Sequence, residues 1–396
     1  MQLAWLSLAM FLGMTLWFSA TAANAAIVAE FRLTAAETAW LTMAVQGGFV
    51  IGTLVSALLN LPDVLNPRRL FWIGCVAGAI ANAWLAAAGS VAVLVALRLV
   101  TGAALALVYP PGMKVAAGWF EKRRGAALGV LIGALTVGSA TPHLIPAITA
   151  LNWRGTLLVA SALALAGAAV VLFFVGDGPH RFPSARFDLR MAAAVFRERG
   201  PRLACFGYLG HMWELYAMWT WIAAFLAASL EANGGGSYVG LGPSGATFLV
   251  VALGALGCWA GGVASDRWGR TALTMVAMAL SGTCAAIIGL TFGGSPSLTL
   301  LVAAVWGITV IADSAQFSTA ITELSPSAYV GTALTAQTCI GFALTMASIW
   351  LIPPLVARIG WRWAFAVLAI GPALGVIAMA RLRGSRDAVK MAGGRR

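Results

Sequence analysis

Apolar residues in this chain fall into long uninterrupted runs rather than alternating or heptad patterns. A helix that crosses a bilayer needs about 20 consecutive apolar residues. Runs of that size lie at 3–25, 38–60, 70–88, 91–113, 125–147, 156–175, 203–229, 244–264, 271–291, 297–321, 331–353 and 362–381, which predicts twelve transmembrane helices. The links around Gly89-Ser90 and from Gly293 to Ser295 are so short that each must join antiparallel neighbours. The first run ends in a small-residue stretch, Thr21 to Ala26, of the kind that precedes a signal-peptide cleavage site. No basic segment precedes it and further spans follow, so it is read as helix 1, retained in the mature protein.

Basic residues set the orientation. With both termini cytoplasmic, 20 of the 25 Lys and Arg residues fall on the cytoplasmic side. Only Arg32, Arg154, Arg358 and Arg362 fall outside, and Arg98 lies within a span. The longest polar segment, 176–202, is rich in Pro and Arg. It divides the chain into an N-terminal six-helix bundle (1–175), a cytoplasmic linker (176–202) with a short amphipathic helix near 188–199, a C-terminal six-helix bundle (203–382) and a basic cytoplasmic tail (383–396).

Composition agrees with a lipid setting. Hydrophobic residues make up 61% of the chain and charged residues 10%, with a mean hydropathy of +0.89. A soluble fold could not cover that much apolar surface. The net charge of +12 does not indicate nucleic-acid binding, because the positive residues are dispersed between apolar runs instead of forming one basic face. The cysteines Cys75, Cys205, Cys258, Cys284 and Cys339 lie in separate runs and read as small buried hydrophobes, with no disulfide framework or zinc site.

Two features recur along the chain. Trp153-Arg154 between spans 5 and 6 is echoed by Trp361-Arg362 between spans 11 and 12, 208 residues later. Asp63 with Arg68-Arg69 is echoed by Asp266 with Arg267 and Arg270, and Asp63 and Asp266 are 203 residues apart. Two parallel six-helix repeats would place a pathway at their interface and alternate its access by rocking.

The segment Gly261-Gly262-Val263-Ala264-Ser265-Asp266-Arg267-Trp268-Gly269-Arg270 resembles the signature loop of the major facilitator superfamily, and Arg98 with Gly102 is similar to that family's span-4 Arg-x-x-x-Gly element. The overall look is similar to bacterial permeases of the cyanate and nitrate/nitrite kind. The resemblance implies an all-α fold of two six-helix bundles and a cytoplasmic gate built by Asp266, Arg267 and Arg270. Nitrate porters of that kind hold their anion between arginines of spans 2 and 8. Neither span here has one before its cytoplasmic end, which speaks against an inorganic anion.

Ionisable residues inside the membrane are costly and therefore candidates for function. Glu214 lies near the middle of span 7, and His211, Glu214 and Met218 share one helix face, with Tyr216 nearby. A carboxylate there either exchanges a proton during transport or forms a static pair with His211 or an arginine. Asp313 in span 10 shares a face with Thr309 and Gln316, for solute contact, proton relay or an interhelical network. Arg98 either binds an anionic group or serves as a counter-charge. His143, between Pro142 and Pro146, is a gate or hinge residue or a simple headgroup-level hydrogen bonder, and both prolines are expected to break span 5. Gln46, Gln337, Asn24, Trp17 and Tyr109 are further pocket-lining candidates. Gly125, Gly129 and Gly133 read as a close-packing face.

These features predict a secondary transporter in the cytoplasmic (inner) membrane that carries a small polar solute together with protons and functions as a monomer. No ATP-binding loop is present, no cofactor is called for, and no catalytic motif is found, so an enzyme is not indicated. The alternative is a copper transporter using His211, Met212 and Met218, although span 7 lacks an MxxxM or HxxxM pair.

Overall fold

A computed structural model describes residues 1–120, 124–180, 193, 196–326 and 329–396. Among them the chain is helical, with one isolated bridge, between Tyr238 and Leu241, and no strand. Among the described residues eleven helices are long and apolar enough to cross a membrane. Large apolar side chains such as Trp84, Leu374 and Phe173 stand more than half exposed on the outside, as a lipid-facing surface requires. The amphipathic helix expected near 188–199 lies largely outside the described residues.

The first run is interrupted. Helix α1 (Gln2–Met14) stops short of a full span, a turn carries Thr15–Phe18, and after Ser19–Ala22 the chain continues as α2 (Asn24–Phe31). Helix α3 (Ala35–Leu58) opens on a capping box: Thr34 Oγ1 accepts from Glu37 N–H at 3.3 Å, and Glu37 Oε2 accepts from Thr34 N–H at 2.8 Å. Helix α4 (Pro67–Trp84) is capped by Asn66. Span 4 is built in two pieces, α5 (Val91–Leu105) and α6 (Tyr109–Trp119). Helix α7 (Arg124–Ile148) runs unbroken through Pro142 and Pro146, which corrects the expected break in span 5. Helix α8 (Trp153–Phe173) is capped by Asn152.

Helix α9 (Arg199–Ala232) follows, and its 34 residues carry it beyond the apolar run at both ends. Span 8 divides into α10 (Pro243–Ala252) and α11 (Gly254–Trp268). Gly269, at φ +89°, makes the tight turn into α12 (Arg270–Ile287). Span 10 again has two pieces, α13 (Pro296–Thr309) and α14 (Ser314–Leu324). Helix α15 (Val330–Ile359) and α16 (Ile370–Arg383) complete the membrane part, and the tail packs beneath it with Ala388 and Met391 buried.

Small residues set the closest approaches. A Cβ on Gly48 would collide with the Leu99 carbonyl, and one on Gly102 with the Val45 carbonyl, so α3 and α5 touch backbone to backbone. The glycine face of α7 packs on α11: a Cβ on Gly129 would lie 2.9 Å from the Cys258 carbonyl, and one on Gly125 3.3 Å from Asp266 Oδ1. Helix α3 also packs on α15, and α7 on α10, so these contacts tie sequence-distant regions together.

Candidate functional site

Three ionisable side chains are buried together between α9 and the helices around it. Glu214 is about 1% exposed. It accepts two hydrogen bonds, from Ser281 Oγ–H of α12 at 2.7 Å and from the Trp306 indole N–H of α13 at 2.7 Å. One turn earlier on α9, His211 Nδ1 lies 2.9 Å from Asp313 Oδ1. Asp313 sits in the gap between α13 and α14. The His211–Asp313 approach is close but not aligned as a hydrogen bond, and both Asp313 oxygens and His211 Nε2 keep unused polar capacity. The rings of Tyr208 and Phe317 flank His211. Neither alternative static partner of Glu214 is realised: His211 turns to Asp313, and no arginine reaches the carboxylate among the described residues.

Ser281 gives Glu214 two ways to be satisfied. Its hydroxyl also lies 3.3 Å from the Met278 carbonyl. When Glu214 is ionised, Ser281 donates to it. When Glu214 carries a proton, the carboxylic acid can donate to Ser281, whose own hydrogen turns to Met278. The Trp306 N–H donates in either case, because an indole has no acceptor.

Arg98 is fully buried and faces neutral oxygens only. Its Nε donates to the Leu41 carbonyl at 3.1 Å, Nη1 to the Leu16 carbonyl at 3.0 Å and to Ser19 Oγ, and Nη2 to the Trp17 carbonyl. These carbonyls include the ones freed where helix 1 unwinds after Met14. Ser19 in turn donates to Asn82 Oδ1 at 2.6 Å, and Asn82 donates to the Leu157 carbonyl and Ser161. Arg98 thus holds the first break together.

Aromatic rings fill the seam between α3 and α15. Phe49 and Phe342 lie 4.5 Å apart between centroids, and Trp17 contacts both of them and Tyr216. Tyr109 stacks on Phe49. Trp219 joins through Tyr216 and Phe18. Buried beside these rings, the Gln46 and Gln337 amides and the Trp17 and Trp219 indole nitrogens have no hydrogen-bond partner. Met218 is buried on α9, and His143 is buried in α7 rather than placed at the surface.

The signature-like loop forms a network at the end of the molecule near the tail. Arg270 Nη1 lies 3.1 Å from Asp266 Oδ1 and donates to Ser265 Oγ at 2.8 Å and Gln316 Oε1 at 3.0 Å. Its Nη2 reaches Glu323 Oε1 at 3.3 Å, and the other Glu323 oxygen accepts from Ala392 N–H. Arg395 donates to the Asp266 carbonyl. Arg267 is exposed and outside this network. Gln316 keeps its backbone N–H on the Asp313 carbonyl at 2.8 Å, but its side chain turns to Arg270 and joins the loop network instead. Sequence reasoning missed Ser281, Trp306 and Glu323. Glu323 was the detectable one, as an acid close to the inner end of an apolar run.

Among the described residues no group of three or more His, Cys, Asp or Glu side chains is arranged to hold a metal ion. The eleven long apolar helices among the described residues make this a multi-pass membrane protein. The chain is 26% identical over 227 residues to the probable sulfoacetate transporter SauU of Cupriavidus necator, a match covering 52% of this chain and about half (51%) of that relative's length. The sequence profile described as Major Facilitator Superfamily matches residues 6–349, so the chain belongs to that superfamily.

Proposed function

We propose that the protein is a proton-coupled secondary transporter that carries a small polar solute across the cytoplasmic membrane by alternating access. In this reading it works as a monomer of two six-helix halves, 1–175 and 203–382, with both termini cytoplasmic and the broken α1–α2 run as the twelfth span. The helix boundaries support the halves. From Tyr109 to Ser314, the starts of the second pieces of spans 4 and 10, is 205 residues, and from Pro67 to Arg270, the starts of α4 and α12, is 203.

The observation that carries the proton reading is the burial of Glu214, His211 and Asp313 on facing elements, with no Lys or Arg bonded to either acid among the described residues. Ionised acids in such a place are costly unless they exchange protons in the working cycle. Glu214 binds and releases a proton as the Ser281 hydroxyl reorients, and the His211–Asp313 pair passes it toward the gate. The unpartnered amides of Gln46 and Gln337 and the indoles of Trp17 and Trp219 contact the solute beside Tyr216 and Met218. Arg98 keeps the first break in shape and leaves a net positive field behind that group, which favours an anionic solute. Asp266, Arg270, Gln316 and Glu323 form the cytoplasmic gate, and His143 lies on the outer half of the moving helix α7.

The relative's name supplies a first probe, sulfoacetate, a small organic anion. Liposomes holding purified protein should accumulate it when a pH gradient, acidic on the uptake side, is imposed. If no sulfoacetate enters, a thermal-shift screen of small organic acids selects the next probe, since a bound solute raises the melting point. Transport of such a probe at an unchanged rate with the gradient collapsed contradicts proton coupling. The copper reading gains no support, because among the described residues no group of three or more His, Cys, Asp or Glu side chains is arranged around His211 to hold a metal ion.

A further inference from the structure

A cavity of about 790 Å³ opens on the flank of the molecule between α9 and α16, and none of the buried acids lines it. That volume is in the range of ligand-sized sites. Its origin is the close approach of the two helices. A Cβ on Gly371 would lie 2.7 Å from Trp213 Cβ, and one on Gly210 2.9 Å from Gly375 Cα, so the backbones nearly touch and no side chain fills the trough above them. The Trp213 indole is fixed by its N–H bond to the Val367 carbonyl at 3.2 Å. Phe206, Leu374 and Ile377 form apolar, outward-exposed walls.

One end of this trough is different. Arg202 stands in the first turn of α9 and Arg381 in the last turn of the antiparallel α16, so both arginines line the same end of the trough. Both are exposed. Among the described residues neither has a carboxylate partner. Arg202 donates only to the Phe196 carbonyl at 3.4 Å, and Asp387, beside Gly200, is held by Lys390 at 3.1 Å. Two guanidinium groups without a carboxylate partner among the described residues, over an apolar trough that opens toward lipid, match one chemistry: a phosphate attached to acyl chains.

We propose that this trough binds an anionic glycerophospholipid, with its phosphate between Arg202 and Arg381 and an acyl chain along Phe206, Trp213 and Leu374. A zwitterionic lipid fits less well, because its own ammonium group competes with the arginines for the phosphate. The site is separate from the solute pathway and does not depend on the substrate or on proton coupling.

Native mass spectrometry of delipidated full-length protein tests it, with phosphatidylglycerol and phosphatidylcholine of identical chains as probes. Phosphatidylglycerol should bind at least about tenfold more tightly, the factor expected from one charge-assisted hydrogen bond. Arg202→Gln with Arg381→Gln should erase that preference while the melting temperature of the lipid-free protein stays unchanged. Leu374→Trp, which fills the trough, should weaken both lipids. Arg358→Gln with Arg362→Gln, on the other side of the membrane, should change nothing. Equal binding of the two lipids, a preference that survives the Arg202/Arg381 double variant, or a dimer mass in place of lipid adducts would overturn the proposal.

Discussion

His211 Nδ1 lies 2.9 Å from Asp313 Oδ1, with both side chains about 1% exposed, and the contact joins the long helix α9 to the gap in span 10. A gap between two helical pieces can change its dihedrals at lower cost than a continuous helix, so a charge change at this pair acts where the chain is easiest to move. Asp313→Asn removes the charge and keeps the shape. Gradient-driven accumulation should be lost, while solute exchange between equal concentrations persists. Accumulation at the wild-type level would separate Asp313 from the proton path.

Glu214 and Ser281 form the second testable pair. Ser281→Ala leaves one Glu214 oxygen without its partner and removes the group that satisfies the protonated acid. The pH at which uptake is half-maximal should move, and Ser281→Thr should restore it. A pH profile identical to wild type in Ser281→Ala would rule out the hydroxyl as a participant.

Arg98 is expected to matter for folding more than for recognition. Arg98→Leu leaves the Leu16, Trp17 and Leu41 carbonyls without their donor, at about 1–3 kcal/mol for each group that no water reaches. A drop in melting temperature with no bound solute present is the expected result. Arg98→Lys should recover only part of it, because an ammonium group cannot match the spread of the three carbonyls. Full stability of the leucine variant would contradict the assignment.

Gly129 faces the Cys258 carbonyl at the α7–α11 contact. Gly129→Val should overpack that contact by about 1–3 kcal/mol and slow transport strongly while the protein still reaches the membrane. Cross-linking of cysteines introduced on the two helices would report the altered spacing. An unchanged transport rate would show that α7 and α11 need not approach this closely.

The apolar runs were legible because a bilayer sets helix length directly, and each of the last eleven runs has its helix or helix pair. The breaks were not. Val310–Asp313 contains no proline, and although Pro110 and Pro111 follow the Ala106–Val108 break, Pro142 and Pro146 sit inside the continuous helix α7, so proline alone does not mark the breaks. Both prolines are accommodated within the continuous helix, which one sequence cannot display. The buried acids were found because an ionisable group in an apolar run stands out. Their partners Ser281 and Trp306 are neutral residues on other helices, 67 and 92 positions away. The Gln316 side chain went to Arg270, 46 positions away on another helix, a partner that the shared face with Asp313 could not reveal.

Proton movement itself is the most direct test. Liposomes loaded with a pH-sensitive dye report whether adding a transported solute outside carries protons inward. Wild-type protein should acidify the lumen as solute enters, and Glu214→Gln should take up solute, if at all, with no acidification. Solute entry through wild-type protein without any change in internal pH, or the same acidification through Glu214→Gln, would contradict the account.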